Sequence, residues 1–554
     1  MNPGEALSRV GAALAQAGFA LNSGGEPPGF AGSVDVDGRQ VRVLISFPCL
    51  SFTHLPRVLL TNRAEDVPEA IAHIEAGDFL CYATRGSLIL DRHSPGESAL
   101  AVLREVANTL GRSLSPGAAR EVGAEFPQHW RAASTVHLAL PPDAPAGMAS
   151  ILVLPRLGAV PLTVLTRGSA KNGFEGGAMG LLRGPEAGRA WIGRTEVDLG
   201  LPVGRPPTTF EEFLDWAGSH DPGLRDRLLA AAAGRFFSEP VRLFVQGPNG
   251  CVGVRLRLPR IWEKAVRTKG FWADLMRRGA ARIGLERLGG ERMDAAQAGT
   301  RNLPGRASLE GRLVTVVGCG AIGSQLARLL AQSGAGRGGG KLLLVDVDVL
   351  TAGNLGRHWL GAEHVGDGKA AAVEAELKRL SPGLAVQAIR DDAMNKLDLL
   401  CRADLLLDAT GEEPLSRALN HEVLLRRPVG PAMIFAWLLG QGAAAQALFV
   451  PASQDVRGCY ACARPFGVRP AALREDAPML PVPAACGEAE FMPYGVASPV
   501  IAAGLAAAMS LEWAAGEVCP SFRTVRIDHG STASVDDADV PALPGCHDCG
   551  DAGS

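Results

Sequence analysis

Apolar and polar positions first alternate at helical spacing. Residues 1–21 read as an amphipathic helix, because Glu5, Arg9 and Gln16 interrupt the apolar stretch and no basic segment precedes it, as a secretory leader would require. Short strand-like runs follow at 40–46 and 57–61, then a stretch punctuated by Pro and Gly, then a helix around 98–110. That pattern predicts an α+β domain over residues 1–132. Residues 133–300 mix strands (150–154, 241–246) with helices (210–217, 224–233) and carry no motif, so they read as an α+β linker domain without an assigned role. Beyond a linker rich in Gly and Arg, residues 301–554 turn to α/β patterning. The most apolar late run, 500–511, is about twelve residues where a membrane span needs about twenty.

Composition narrows the function classes. A chain of 554 residues predicts three or four domains. Its charge of −3 gives no electrostatic argument for nucleic acid or an anionic membrane. Seven of the 55 basic residues are lysine, which makes each lysine worth locating. The 11 cysteines are odd in number and no leader stands out, which argues against a disulfide framework and for a soluble, cytoplasmic protein. Cys459-Tyr460-Ala461-Cys462 and Cys546-His547-Asp548-Cys549 are both Cys-x-x-Cys. Four thiolates suit tetrahedral Zn²⁺, and each two-residue gap lets one turn supply two ligands.

The candidate chemistry starts at residue 313. Leu313-Val314-Thr315-Val316-Val317 is a continuous apolar, β-branched run, hence a buried parallel strand. Gly318-Cys319-Gly320-Ala321-Ile322-Gly323 follows at once, then a helical stretch over 324–332. Strand, Gly-x-Gly-x-x-Gly and helix form a turn that lets phosphates approach backbone at a helix N-terminus. A second strand, 341–345, ends in Asp346, placed for ribose hydroxyls. On this alone the default is an NAD-binding Rossmann domain. Asp348, Asn354, Arg357 and Lys369 shift the reading. Cations beside the phosphates serve adenylation, where charge builds on the α-phosphorus as pyrophosphate leaves.

Gly318–Gly323, Asp346-x-Asp348, Asn354-Leu355-x-Arg357, Lys369, Cys459-Tyr460-x-Cys462, Cys486-Gly487-Glu488-Ala489 and Cys546-x-x-Cys549 run in the order found in ubiquitin-activating enzymes. Over about 250 residues the chain resembles their bacterial relatives, the ThiF/MoeB-type adenylyltransferases of sulfur-carrier proteins. The resemblance implies ATP-dependent adenylation of the C-terminal glycine of a ubiquitin-like protein, a bracing zinc site, and a homodimer through the adenylation domain. It also implies that Cys486 accepts the activated acyl group; the Pro- and Gly-rich sequence around it predicts an exposed loop. The chain departs from the family at Gly411, where an aspartate near Mg²⁺ is usual. Asp408, Glu412 and Asp348 are the alternatives for that metal. Arg287, Arg292, Arg301 and Arg306 are equal candidates for the arginine the family borrows from before the glycine loop.

The N-terminal domain carries a weaker resemblance. A proline-punctuated strand at 55–61, then His73, Gly77 and Cys81, is similar to the core of ubiquitin-conjugating enzymes, with Cys81 at the catalytic position. No Pro-Asn follows His73, so the oxyanion-stabilising asparagine is missing and His73 is the candidate in its place. Fused, the two parts resemble the conjugating–activating proteins of bacterial antiphage operons, including cyclic-oligonucleotide (CBASS) systems. That implies attachment of the C-terminal tail of a nucleotidyltransferase (CD-NTase), or of a ubiquitin-like protein, to an acceptor amine, with ATP, Mg²⁺ and Zn²⁺ as cofactors. Three other readings stand beside it: a sulfur-carrier adenylyltransferase with Cys81 structural, a nicotinamide oxidoreductase, and an inactive binding scaffold.

Overall fold

The computed structural model describes residues 2–549 apart from 23, 25–26, 68–70, 75–76, 85, 116–125, 131, 141–143, 157–158, 170–172, 176–180, 183–184, 202–204, 235–239, 264–268, 294–306, 382, 428, 454–457 and 478–492. The chain divides into two compact units, residues 1–174 with 183–292, and residues 293–554 with 175–182.

The first unit opens with the helix Pro3–Gln16, whose Asn2 cap accepts the Glu5 N–H at 2.8 Å. It packs against the helix Pro95–Leu114. Both elements share a core with an antiparallel meander of Ala20–Asn22, Gly29–Val36, Arg39–Ser46 and Arg57–Leu60. In Arg39–Ser46 every second residue, Val41, Val43 and Ile45, is buried, the period of a half-covered strand. Asp37 and Gly38 join two strands with φ of 50° and 82°, as a tight hairpin requires.

Residues 134–292 hold more strand than an α+β linker suggests. Seven strands close into a barrel in the order Glu186–Arg194, Arg242–Gly247, Gly250–Arg257, Gly284–Arg292, Ser134–Leu138, Ala159–Thr166, Gly147–Arg156. Phe244 belongs to the interior cluster with Val136, Ile192 and Leu288. Its neighbours Leu243 and Val245 pack outward with the helices Phe210–His220 and Pro222–Ala233. The expected helices and strands at 150–154 and 241–246 are present; closure of the barrel is the new fact.

The second unit is a seven-stranded sheet ordered Val386–Ile389, Lys341–Val345, Leu313–Val317, Leu405–Asp408, Ala432–Leu439, Ala444–Val450, Phe522–Arg526. The first five strands are parallel, and Ala444–Val450 runs antiparallel to both its neighbours, Ala432–Leu439 and Phe522–Arg526. The helices Ala321–Gln332, Lys369–Leu380 and Ala497–Ala515 share one core with Val314, Val316 and Leu344. The helix Glu413–Leu424 shares another with Val317, Val345 and Leu406. Alternate residues of each strand therefore supply two cores, which is why the strands read as unbroken apolar runs. Strand order reverses between Leu313–Val317 and Leu405–Asp408, the place where open α/β sheets hold ligands. The helix Ala497–Ala515 is long and apolar enough to cross a membrane by length and composition alone. Here its Ala502, Ala503, Ala506 and Met509 are buried in the core.

Candidate functional site

A cavity of about 600 Å³ opens at that switch point. Seven of the predicted nucleotide residues line it: Gly318, Gly320, Asp346, Asp348, Asn354, Arg357 and Lys369. Gly318 has φ of 83°, and a Cβ there would meet Thr410 at 2.8 Å. Gly323 lies below the lining, packed so closely that a Cβ would fall 1.7 Å from the Gly318 carbonyl oxygen. Gly320 has nothing within 4 Å of such a Cβ. Its small size answers to no neighbour among the described residues.

Asp346 accepts the Cys319 N–H at 2.6 Å and the Asp348 N–H at 2.8 Å, which pins the carboxylate at the cavity edge. Asn354 spends its carbonyl oxygen on the backbone N–H of Thr351 at 3.0 Å and on its hydroxyl at 3.1 Å. The amide NH₂ is then the part of that side chain left to meet an anion. The Arg357 guanidinium lies 5.4 Å from the ring centre of Tyr494, which also lines the cavity. Lys369 opens the helix Lys369–Leu380, and its Nζ is 2.7 Å from Asp348 Oδ2. The lysine is 13% exposed and the aspartate 62%, so the ammonium is held inward by a solvent-facing carboxylate.

Asp408 is not part of the cavity wall. It ends its strand at 3% exposure, and accepts from Thr410 N at 3.0 Å, Thr410 Oγ1 at 2.7 Å and Ser416 Oγ at 2.5 Å. Burial raises its pKa against those hydrogen bonds. It fixes the turn that presents Gly411 and Glu412, both of which line the cavity. Gly411 has φ of 70°, and no described residue lies within 4 Å of where a Cβ would stand.

His358 carries no motif that sequence reasoning could use, yet it lines the cavity at 8% exposure. Its Nδ1 accepts the Leu360 N–H at 3.1 Å, so Nε2 carries the proton and donates to the Cys319 carbonyl at 2.7 Å. Burial lowers its pKa, and Lys369 and Arg357 act in the same direction.

The two Cys-x-x-Cys pairs converge. Cys459 Sγ lies 3.9 Å from Cys462 Sγ and 3.7 Å from Cys546 Sγ, and Cys462 Sγ lies 3.4 Å from Cys549 Sγ. All four sulfurs are within 4.8 Å of one another. A tetrahedron with Zn–S of about 2.3 Å places its sulfurs about 3.8 Å apart, whereas a disulfide needs about 2.05 Å. The donor set fits zinc. The Leu543 N–H donates to Cys462 Sγ at 3.3 Å, an outer bond that orients a ligand.

In the first unit Cys81 is half-buried. The Cys81 N–H donates to the His73 carbonyl at 2.8 Å, across a bridge between Ile74 and Leu80. His73 has φ of 63°, uncommon for a residue with a side chain. The loop beyond holds Ile89 at 91% exposure. Cys49, which no motif marks, receives bonds from Ser51 Oγ at 2.8 Å and Thr53 Oγ1 at 3.3 Å, which bring its pKa down to about 6. Cys486, Arg301 and Arg306 lie outside the described residues. Arg287 and Arg292 sit on the barrel strand Gly284–Arg292, and the Arg287 guanidinium donates to the Pro207 carbonyl at 3.4 Å.

Both parts of the chain have known relatives. Residues 296–543 match the ThiF family and residues 5–139 the Prokaryotic E2 family B. The chain is 28% identical over 505 residues, 90% of each chain, to the "ATP-dependent ubiquitin transferase-like protein Cap2" of Pseudomonas aeruginosa (strain BWHPSA011 / Pa011). It is 35% identical over 133 residues, 23% of this chain and 28% of the other, to the Bos taurus "Adenylyltransferase and sulfurtransferase MOCS3". Among solved structures, E. coli MccB with MccA-N7isoASN is 21% identical, with a TM-score of 0.34, over 44% of this chain and 68% of that one. The chain joins a domain of the ThiF adenylyltransferase family, within residues 296–543, to one of the Prokaryotic E2 family B, within residues 5–139.

Proposed function

We propose that this chain activates the C-terminus of a partner protein with ATP and conjugates it to an amine. One observation carries the reading: Asn354, Arg357 and Lys369 converge with the glycine loop on one cavity, in a chain that also holds a conjugating-like domain. In the first step a C-terminal carboxylate oxygen attacks the α-phosphorus of ATP and pyrophosphate leaves. Loop N–H groups at the start of the helix Ala321–Gln332, with Arg357 and Lys369, meet the charge that grows on the phosphates. Asp346 orients the ribose. Asp348 and Glu412 are lining carboxylates that suit a hard cation. Mg²⁺ held there would neutralise the leaving pyrophosphate.

The Cys486 thiolate then attacks the acyl carbon and AMP leaves. Cys81 takes the acyl group by thioester exchange, and an acceptor amine displaces it to form an amide. The relative named a ubiquitin transferase-like protein supports this sequence. The tail of a nucleotidyltransferase or of a ubiquitin-like protein is the substrate this reading favours, in antiphage defence and in a homodimer. Zinc at the four cysteines braces the fold. Incubation with ATP and each candidate partner tests the scheme by gel. A thiol-sensitive adduct is expected, and it should be absent in Cys486→Ala and stop before the amide in Cys81→Ala. An adduct indifferent to both variants would remove the two-thioester route.

A further inference from the structure

The helix Glu413–Leu424 touches both centres of the second unit. At its N-terminal end Glu412, Pro414 and Leu415 line the cavity. Further along, Asn420 is fully buried and bonds to both cysteine arms. Its Oδ1 accepts the Tyr460 N–H at 3.0 Å and its Nδ2 donates to Asp548 Oδ2 at 2.7 Å. Tyr460 lies within one Cys-x-x-Cys arm and Asp548 within the other. One amide thus holds both arms. His421 Nδ1 adds a contact to Asp548 Oδ1 at 2.9 Å.

A second grip acts on the first turn. Arg464, two residues beyond Cys462, pairs with Glu413 at 2.9 Å, and its carbonyl accepts from Arg417 Nη2 at 2.5 Å. From there Ser416 reaches Asp408, Asp408 holds Thr410, and Thr410 packs against Gly318. Each link is a buried or part-buried hydrogen bond or a contact, so displacing one member leaves polar groups unpaired. Without a cation nothing bonds the four sulfurs to a common centre, so the arms are free to separate and the hold on the helix that walls the cavity slackens.

We infer that Asn420 is a positioning residue that couples the metal at the four cysteines to the nucleotide cavity through the helix Glu413–Leu424. The inference rests on the zinc and ATP readings above. Coupling of two ligands is reciprocal: if zinc tightens ATP binding, ATP tightens zinc by the same factor. This would make the cysteine cluster part of how the cavity is set, beyond bracing the fold.

The test uses the full chain, with zinc content measured by atomic absorption and ATP affinity by calorimetry. Stripping zinc with a chelator should weaken ATP binding about five-fold or more, the lower end of typical coupling. Added Zn²⁺ should restore it. ATP should protect zinc against a competing chelator by an equal factor at equilibrium. Asn420→Ala should keep its zinc yet bind ATP more weakly and lose both effects. Arg464→Gln, which leaves the cysteines and Asn420 intact, should show part of the loss, with faster amide exchange over residues 410–424. Absence of zinc or of ATP binding in the wild type would remove the underlying readings. Normal zinc and ATP binding with no mutual effect, or a coupling unchanged in Asn420→Ala, would overturn the inference alone.

Discussion

His358 Nε2 stands 2.7 Å from the Cys319 carbonyl oxygen, between the first two glycines of the loop. The bond has a fixed polarity, because Leu360 N–H occupies Nδ1. Removing the ring leaves a buried carbonyl unpaired, at a cost of about 1–3 kcal/mol. His358→Ala should lower stability by that amount and weaken ATP binding, while His358→Gln, which keeps a donor, should lose less. Chemical denaturation and calorimetry on the two variants decide it; equal losses would remove the hydrogen bond as the cause.

The same residue predicts a pH dependence. Burial lowers the folded His358 pKa from the ordinary value of 6.5. Below about that pH the unfolded chain takes up a proton that the folded chain refuses. This contribution to stability is therefore present above 6.5 and declines as pH falls toward the lowered folded value. Wild type should lose melting temperature between pH 7 and 6 faster than His358→Gln, which has no titrating group there. Parallel curves would overturn it.

Lys369 and Asp348 separate charge from stability. Asp348 is 62% exposed, so the ion pair should contribute no more than about 1 kcal/mol to folding. Lys369→Met should leave the melting temperature nearly unchanged and reduce ATP–pyrophosphate exchange about 100-fold or more, the usual loss for a donor aimed at developing charge. Asp348→Asn should fold normally and need more Mg²⁺ for half-maximal exchange. Exchange in Lys369→Met at the wild-type rate would exclude the lysine from the phosphates.

Much of the second unit was legible because its signals are local. The strands at 313–317 and 341–345 are largely apolar runs, the first ended by Gly318 and the second preceded by Gly340, and they stand where the sequence places them. The barrel was not legible. Ser134–Leu138 pairs with Gly284–Arg292, about 150 residues away, and no local pattern encodes that closure. The sequence offers Asp408 as one alternative for the metal because it lies three residues before Gly411, where the resembling family usually keeps an aspartate. Its side chain points into the core because Ser416, one turn into the next helix, supplies a hydroxyl there. His358 was missed for a related reason: its bonds go to backbone, which leaves no trace in residue types.

Cys49 bears on every thiol experiment with this chain. Hydrogen bonds from Ser51 and Thr53 draw its pKa down to about 6, so it should react with alkylating agents at neutral pH more readily than an ordinary cysteine. Its alkylation rate should rise with pH to a half-maximum near 6. In Ser51→Ala, which removes the first of its hydrogen bonds, the half-maximum should move upward. Mass spectrometry after limited iodoacetamide treatment reads this directly. If Cys49 stayed unlabelled at pH 7 while other cysteines reacted, its hydroxyl cradle would not hold in solution. Thioester assays on Cys81 accordingly need Cys49→Ser as background.

The loop glycines separate ligand from packing most cleanly. A methyl group at Gly323 would overlap the Gly318 carbonyl at 1.7 Å, so Gly323→Ala must displace the helix from the strand and should destabilise the unit by more than about 2 kcal/mol. Gly320→Ala meets nothing within 4 Å and has φ of −75°, which any residue adopts. Its cost to folding should stay below about 1 kcal/mol, that of a changed helix cap. What it should lose is ATP, because the methyl occupies the surface where phosphates approach the backbone N–H groups. Melting and calorimetry side by side should show Gly323→Ala unstable and Gly320→Ala stable but at least ten-fold weaker for ATP, a difference of about 1.4 kcal/mol. A stable Gly320→Ala that binds ATP as tightly as wild type would mean that the phosphates lie elsewhere in the cavity.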